Sequence, residues 1–385
     1  MRVLYILHST IMGGATISFL NLITGMKERN VEVIVVIPKM DYALTEKLKR
    51  LNVEWLISPL VSSYLKRDCG TITRMAVYYL KLIPRLLKKE YQKYKSLRSL
   101  TIIVRNCCPD IIHTNTGVIH EGYVCAKKLG IPHVWHLREY QELDFNWKIC
   151  PSKRVFISSL RKSNVITITN HILHYFQLDN SPNAQTIYNG IMNRNEVCFD
   201  WPKDNNFLCA SRISPEKGHE TIIRAFATFY KKHPNYRLTI LGFGNESYIS
   251  YLKKLSQDLG CSQSIEWLGF QSNVQSYMRK AKALIVASRF EGFGRMTAEA
   301  CFCGCIVIGK NTGGTSEILS KTGGLLFDTK EQMIMNMEYV AKYDEQKYRS
   351  IAMSAQKVAQ DNYSIESNVE LTYQFYLKIL KSRGG

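Results

Sequence analysis

Two cations and two carboxylates in the second half of the chain have the residue types and spacing of a ligand-binding site. Arg212 and Lys217 lie five residues apart in ASRISPEKG, after a β-branched run. A guanidinium forks onto phosphate oxygens and a lysine ammonium acts as a point charge, so this pair suits a diphosphate; a structural salt bridge is the alternative. Glu291 and Glu299 stand in SRFEGFGRMTAEA. Ionised carboxylates only accept hydrogen bonds, so they suit a ligand rich in hydroxyls, unless they are two unrelated surface residues.

Glycine-containing loops follow predicted strands elsewhere. Gly242 and Gly244 lie in LGFGNE, and Gly14 belongs to the pair that precedes an apolar helical pattern. Glycine at a helix start lets the backbone approach an anion, which the helix N-terminus favours. The first loop lacks the G-x-G-x-x-G spacing, so a dinucleotide cofactor is poorly supported. The chain has no D-x-D motif, and the G-x4-G-K match over 304–310 reads as a β-branched strand rather than a P-loop.

A third candidate region ends a predicted strand in the first half, in PHVWHLRE. His136 could contact a ligand or serve as a structural hydrogen-bonding group. Arg138 and Glu139 could bind a ligand or pair with each other. The residue types alone leave these alternatives open.

The elements that must position these residues are short β-branched runs that alternate with helix-length segments. This pattern is typical of α/β folds with parallel sheets, and it occurs twice. Ligands bind at the carboxyl ends of strands in such sheets. The predicted strands are 2–8, 31–38, 53–58, 110–115, 132–137, 164–169 and 184–189, then 207–212, 236–242, 264–269, 282–288, 305–309 and 324–327. The predicted organisation is a first domain over 1–192, a linker over 193–206, a second domain over 207–362 and a helix over 363–385 that packs back on the first domain.

Composition narrows the class of protein. The 385 residues carry 51 Lys and Arg against 32 Asp and Glu, a net charge of +19. Eleven cysteines without a paired C-x-x-C framework favour a reducing compartment, and Cys301, Cys303 and Cys305 read as small buried residues rather than a metal site. No apolar run reaches the roughly 18 residues of a membrane span. We therefore expect a cytoplasmic protein.

The positive charge is concentrated over residues 66–105, which carry eleven basic and two acidic side chains. Tyr, Leu and Ile alternate with the basic residues at helical spacing, as in amphipathic surfaces that rest on anionic lipid. Nucleic acid is disfavoured because no binding motif accompanies the charge, whereas a solvated basic helix without a partner remains an alternative. The predicted membrane patch comprises Arg85, Lys88, Lys89, Lys93 and Lys95.

These motifs together resemble the retaining GT-B glycosyltransferases of glycosyltransferase family 4. The similarity rests on Arg212 with Lys217-Gly218, on Glu291 and Glu299 in EGFGRMTAEA, and on GGTSEI over 313–318. It implies two doubly wound Rossmann-like domains that face each other across a cleft, with a nucleotide-sugar donor held by the second and an acceptor by the first. Two departures are Ile306, where the family commonly has proline, and a first glycine loop that lacks the acidic residue of some members.

The resemblance assigns roles residue by residue. Arg212 and Lys217 would hold the diphosphate, Glu299 the ribose and Glu291 the donor sugar. Gly14 would lie near the diphosphate, and His136 would contact the transferred sugar. The donor site would also include Gly242, Gly244, Phe293 and Gly294, and Arg138 and Glu139 are assigned to the acceptor or left open.

The implied activity is metal-independent, retaining transfer from a UDP- or GDP-sugar to a glycan or lipid-linked acceptor in surface polysaccharide synthesis, at the inner face of the cell membrane. No cofactor is expected, because cations and helix N-termini would neutralise the departing diphosphate. A nucleotide-sugar epimerase and a silent nucleotide-binding scaffold are the alternatives. A glycosidase needs no diphosphate-binding cations and is less compatible.

Overall fold

The chain divides into two compact units, and the second is a continuous segment inserted into the first. The computed structural model describes residues 1–66, 82–145 and 147–382. Unit 1 comprises Met1–Asn189 with Asn368–Gly385, and unit 2 comprises Gly190–Ser367.

Unit 1 contains a parallel sheet of seven strands in the order β3-β2-β1-β5-β6-β8-β9. These are the seven runs expected from the first half of the sequence, each slightly shorter than predicted. The strands of unit 1 are β1 Arg2–Ile6, β2 Glu32–Ile37, β3 Glu54–Ile57, β4 Tyr64–Lys66, β5 Ile111–Thr114, β6 His133–Leu137, β7 Trp147–Ile149, β8 Asn164–Thr167 and β9 Ala184–Thr186. Strands β4 and β7 form a separate antiparallel pair, on which the rings of Tyr64 and Trp147 stack at 3.6 Å.

Helices connect these strands and cover the sheet. The apolar residues of β1, β2 and β5 are buried, as expected for a parallel sheet with covered faces. The helices are α1 Gly14–Glu28, α2 Tyr42–Arg50, α3 Leu82–Cys107, α4 Glu121–Leu129, α5 Glu142–Phe145, α6 Lys153–Arg161 and α7 Asn170–Tyr175.

Unit 2 contains a second parallel sheet, of six strands in the order β12-β11-β10-β13-β14-β15. Its strands are β10 Asp204–Ala210, β11 Arg237–Leu241, β12 Ile265–Gly269, β13 Ala281–Val286, β14 Val307–Lys310 and β15 Leu325–Phe327. Its helices are α8 His219–Tyr230, α9 Glu246–Asp258, α10 Val274–Lys280, α11 Arg295–Phe302, α12 Gly313–Thr322, α13 Lys330–Ala341 and α14 Glu345–Asn362. Two 3-10 turns, Pro215–Lys217 and Ser262–Ser264, complete it. The predicted α/β class is confirmed.

The predicted linker over 193–206 is too long. Strand β10 begins at Asp204, and Asn206 pairs with Arg237 of the neighbouring strand. Asp204 and Asn205 are exposed polar residues at the strand start, so nothing in their hydropathy distinguishes them from a linker.

The last helix, α15 Ile365–Lys381, begins two residues later than the predicted 363 and crosses from unit 2 into unit 1. Asn368 donates a hydrogen bond of 2.6 Å to the backbone carbonyl of Tyr188. Val369 lies against Gly25 of α1 so closely that a Cβ at Gly25 would collide with it. The helix is therefore part of the fold of unit 1, although it is distant in sequence.

The structure also bears on three other kinds of site or segment: a metal site, a P-loop and a membrane-spanning helix. Cys301, Cys303 and Cys305 are buried among apolar residues. Within the described ranges, no three His, Cys, Asp or Glu residues are grouped as metal ligands. The end of the 304–310 segment is strand β14, as predicted. Among the helices that the structure describes, none is long and apolar enough to cross a bilayer.

Candidate functional site

Unit 2 brings most of its predicted site residues to one edge of its sheet. Strands β11, β10 and β13 are neighbours and run parallel, so the loops that follow them emerge at the same edge. Arg212 and Lys217 follow β10, Gly242 and Gly244 follow β11, and Glu291 follows β13.

The loop after β10 presents Lys217 to the loop after β13. The Lys217 ammonium lies 2.5 Å from the Glu291 carboxylate, and each side chain is 21% exposed. The backbone fixes this approach, because Arg289 donates to the carbonyl of Glu216 at 2.8 Å. Gly218 adopts φ +75°, and a Cβ there would collide with the carbonyl oxygen of Ala287. Glu291 thus has a cation beside it and remains half-buried.

Arg212 is held by a nearer carboxylate. Its Nη2 lies 2.6 Å from Oε1 of Glu216, and the two side chains are 59% and 49% exposed. An exposed ion pair of this kind contributes about 0 to 1 kcal/mol, so an incoming anion can replace Glu216 at little cost. Arg212 can therefore form a salt bridge with Glu216 and still bind a diphosphate when one arrives.

Glu299 lies in the first turns of α11 and is buried, with a side chain 5% exposed. Arg295 donates to its Oε1 at 2.8 Å, and Gln275 of α10 donates to its Oε2 at 3.2 Å. Burial raises the pKa of Glu299, and the nearby Arg295 opposes the rise. The sequence did not identify Arg295 or Gln275, although the i, i+4 spacing of Arg295 and Glu299 is a readable signal.

Glycines set the backbone of these loops. At Gly242, φ is +138° and a Cβ would overlap the carbonyl oxygen of Ser211; at Gly244, it would overlap that of Ile213. The amide of Ile213 donates to the carbonyl of Phe243 at 2.8 Å, which joins the loops after β10 and β11. Glycine at these two positions thus lets the backbones of the two loops lie closer together than any side chain would allow.

The loop that carries Glu291 is fixed against α12. Gly314 donates to the carbonyl of Glu291 at 2.8 Å, and Gly294 starts α11 with φ +90°. The ring of Phe293 is buried and packs edge-on against Tyr363 at 5.9 Å. The side chain of Phe293 thus packs inside unit 2, and its assignment to the donor site stays a prediction.

Unit 1 holds a different group of polar residues at the ends of β5 and β6. His136 is fully buried, and its Nδ1 lies 3.1 Å from Nε2 of His113. Arg138 donates to Asn115 at 2.9 Å and to Asn189 at 2.6 Å. Burial lowers the pKa of Arg138 to about 10.

Glu139 has partners of its own. It accepts hydrogen bonds from the hydroxyl of Thr116 at 2.6 Å and from the amide of Gly117 at 3.0 Å. Burial raises its pKa. The charge and the backbone of Arg138 oppose this rise, so the two neighbours interact while each side chain also has partners of its own. Three further polar residues of this group were not predicted from the sequence, although they stand together in HTNTG at the end of β5: His113, Asn115 and Thr116.

Gly14 is exposed and begins α1, with Gly13 in the N-cap position. The first turn of this helix contains no acidic residue. No side-chain hydrogen bond caps this described helix start. Helix N-termini favour anions, and the assignment of Gly14 to the donor site stays a prediction.

The described part of the basic segment is helical apart from Lys66, which ends β4. Residues 67–81 lie outside the described residues, and 82–107 form α3. Arg85, Lys88 and Lys95 are exposed. Lys89 donates to the carbonyl of Tyr64 at 2.5 Å, and Lys93 pairs with Glu90 at 2.8 Å. Three of the five predicted patch residues thus extend into solvent and two are partly engaged within unit 1.

Similarity to known proteins was found over both units. The family described as Glycosyl transferases group 1 matches residues 199–357, and Glycosyltransferase Family 4 matches residues 12–192. MJ1178 of Methanocaldococcus jannaschii, an uncharacterised glycosyltransferase, is 27% identical over 218 residues, which cover 54% of this chain and 58% of that protein. A Campylobacter jejuni N-acetylgalactosaminyltransferase that acts on a diphospho-undecaprenol-linked sugar is 32% identical over 108 residues, 28% of each chain. The matches thus span about half or less of the lengths of these relatives.

Solved structures match the fold over nearly the whole chain. Anabaena Alr3699/HepE in complex with UDP superposes with a TM-score of 0.77 and 19% identity, over 97% of this chain and 99% of that one. The same protein in complex with UDP-glucose gives a TM-score of 0.73. The two family matches together account for most of both units, and the chain belongs to the GT-B glycosyltransferases of family 4.

Proposed function

We propose that this protein transfers a sugar from a nucleoside diphosphate sugar to a hydroxyl acceptor. The observation that carries the proposal is the convergence of Arg212, Lys217 and Glu291 at one edge of the unit 2 sheet, with Glu299 buried nearby. This group provides two cations for a diphosphate and two carboxylates for hydroxyls. The relative crystallised with UDP and UDP-glucose is consistent with such a donor.

In the proposed mechanism, Lys217 and Arg212 stabilise the negative charge that develops on the departing diphosphate. Glu291 then accepts hydrogen bonds from the donor sugar, Glu299 binds the ribose, and His136 contacts the transferred sugar. Phosphate oxygens would draw Lys217 away from Glu291 and free that carboxylate for the sugar. We propose retention of anomeric configuration and independence from metal ions, as family membership implies.

Calorimetry with UDP, GDP, ADP and NAD in EDTA tests the donor site. We expect one nucleoside diphosphate to bind selectively, with at least tenfold weaker binding in Lys217→Ala. Lys232→Ala is the matched control, because Lys232 pairs with Glu338 while 71% exposed, away from the strand ends. Folded protein that binds none of the four would contradict the proposal.

A donor-sugar panel then separates transfer from its alternatives. Product that requires an acceptor, with its anomeric configuration read by NMR, supports retaining transfer. A changed sugar from the donor alone identifies an epimerase. Nucleotide binding without any turnover identifies a scaffold.

We further propose that the acceptor is linked to a lipid and that α3 docks on anionic membrane. Its exposed residues combine apolar and basic types: Leu87, Tyr91 and Tyr94 with Arg85, Lys88, Lys95 and Arg98. Each basic residue near an anionic surface contributes about 1 kcal/mol. The Campylobacter relative named for an undecaprenol-linked substrate is consistent with such an acceptor, and surface polysaccharide synthesis is the pathway class we propose.

Cosedimentation with phosphatidylglycerol vesicles tests this docking. Serine at Arg85, Lys88 and Lys95 should weaken binding about 100-fold at low salt. The control replaces Lys47, Lys49 and Arg50, three exposed basic residues on α2, and should change it much less. Wild-type protein that does not bind at low salt, or equal losses in both variants, would remove the proposal.

A further inference from the structure

Four buried side chains form one hydrogen-bonded chain within unit 1, which we call the Tyr–His chain: Tyr5 on β1, Tyr376 on α15, His113 on β5 and His136 on β6. All four are fully buried. The Tyr376 hydroxyl donates to that of Tyr5 at 3.2 Å and lies 2.6 Å from Nδ1 of His113. Nε2 of His113 lies 3.1 Å from Nδ1 of His136. The chain links the last helix of the sequence to the histidine of β6.

The direction of the Tyr376–Tyr5 bond sets the position of every other proton in this chain. Tyr376 has one proton: when it is donated to Tyr5, the Tyr376 oxygen accepts from Nδ1–H of His113. A neutral His113 then has a lone pair on Nε2, which accepts from Nδ1–H of His136. His136 is thereby left with a lone pair on Nε2.

Nε2 of His136 is buried, and no group in the described ranges lies within hydrogen-bond distance of it. A buried nitrogen without a partner costs about 1 to 3 kcal/mol. The other nitrogen of the ring is fixed by His113, so the ring cannot turn without breaking that bond. The unmatched lone pair is therefore held in one direction.

We propose that the Tyr–His chain holds His136 as a hydrogen-bond acceptor at Nε2 for a hydroxyl group of the substrate, with Tyr5, Tyr376 and His113 as positioning residues. The identity of that substrate rests on the proposed function. The direction of the chain is a property of unit 1 alone.

Two further observations bear on the direction. Burial and the charge of Arg138 lower the pKa of both His113 and His136, so each ring is neutral near pH 7 and has one proton to place. Arg138 Nη2 lies 3.4 Å from Nδ1 of His136, the longest contact of the group. If Arg138 donated there instead, the chain would run in reverse and Nε2 of His136 would carry the proton. The two directions therefore predict opposite tautomers.

Nitrogen NMR of ¹⁵N-histidine-labelled protein without ligand distinguishes them, with His136→Gln used to assign the signals. We expect protonated Nδ1 and unprotonated Nε2 in the wild type. Tyr5→Phe should reverse the tautomer of His136, because Tyr376 can then donate only to His113. Tyr376→Phe should leave a mixture. Thr372→Val is the control and should change nothing, because Thr372 is a buried hydroxyl one turn earlier on α15, outside the chain.

Kinetics give a second measurement. Tyr5→Phe should lower kcat at least tenfold, while nucleotide affinity, which depends on unit 2, stays within twofold. A wild-type His136 protonated at Nε2, or a tautomer unchanged by Tyr5→Phe, would overturn the proposal. A reversed tautomer with unchanged kcat would overturn the positioning role. If the wild type transferred no sugar at all, the proposed function would fail while the NMR still decided the direction of the chain.

Discussion

The two groups of candidate residues differ in what stabilises their polar and charged side chains: solvent and ion pairs in unit 2, and buried hydrogen bonds in unit 1. In unit 2, Lys217 and Glu291 are each about one-fifth exposed, and Arg212 is more than half exposed. In unit 1, His136 and Arg138 are buried, in a network of hydrogen bonds. A partly exposed ion pair can exchange its carboxylate for an incoming anion, whereas a buried network holds its side chains in place before the ligand arrives. Unit 2 is thus suited to bind charge, and unit 1 to hold a fixed geometry.

Acidification should destabilise unit 1 far more than unit 2. Within the described residues, burial lowers the pKa of five histidines in unit 1 but of only one in unit 2. They are His8, His113, His120, His133 and His136 in unit 1, and His219 in unit 2. Below pH 6.5 the unfolded chain binds more protons than the folded one, so stability falls as the pH falls.

Each such histidine costs about 1.4 kcal/mol at pH 5.5. Glu121 and Glu139 in unit 1 and Glu299 in unit 2, whose pKa values burial raises, oppose part of the loss. We expect the loss between pH 7.5 and 5.5 to be several times larger in unit 1, with five such histidines among its described residues, than in unit 2, with one. Hydrogen exchange of β1 and β10, corrected for intrinsic rates, measures each unit separately. Equal losses of stability in the two units would show that the buried histidines of unit 1 do not determine its response to acid.

The next largest effect is expected when Lys217, the cation of the half-buried pair with Glu291, is removed. Lys217→Ala should lower the transfer rate about 100- to 1,000-fold, because the departing diphosphate loses its nearest ammonium and Glu291 loses its partner. Steady-state kinetics over a range of donor concentrations provides the measurement, with Lys232→Ala as control. A rate within threefold of wild type would contradict the assignment of Lys217 to the donor site.

The two sheets could be predicted from the sequence because buried parallel strands are continuous β-branched runs between turn residues. The strand-end positions of Lys217, Glu291 and His136 follow from that pattern. The pair β4 and β7 was missed, since three-residue strands carry too few residues for a period to show. Asp204 was assigned to a linker because an exposed strand end looks like one.

The Tyr–His chain could not be found from the sequence for a different reason. Tyr376 is 263 residues from His113. The sequence suggested that the last helix packs on the first domain, but which side chains meet depends on helix rotation and register. Such contacts are set by packing and leave no local pattern.

In unit 2, alanine should destabilise the fold more at a glycine that another backbone segment contacts closely than at a glycine in open space. Gly242→Ala should destabilise unit 2 by about 3 kcal/mol, because φ is +138° and a Cβ would overlap the carbonyl of Ser211. Gly260→Ala is the matched control at φ +72° with open space around it, and should cost about 1 kcal/mol. Urea unfolding of the two variants makes the comparison. Equal costs would show that only the dihedral angle matters, so the loops after β10 and β11 could move apart.

The smallest expected effect tests whether exposed charge can be exchanged. Arg212→Ala should weaken nucleoside diphosphate binding about three- to tenfold, because Glu216 already competes for the guanidinium and solvent screens it. Glu216→Gln should strengthen binding slightly, since Arg212 no longer has to leave a carboxylate. Both effects should shrink as salt rises, whereas the loss in Lys217→Ala should persist at the half-buried pair. Calorimetric titrations at low and high salt compare the three variants. If Arg212→Ala lost as much affinity as Lys217→Ala at every salt concentration, exposure would not decide how unit 2 uses its cations, and the contrast with unit 1 would need another basis.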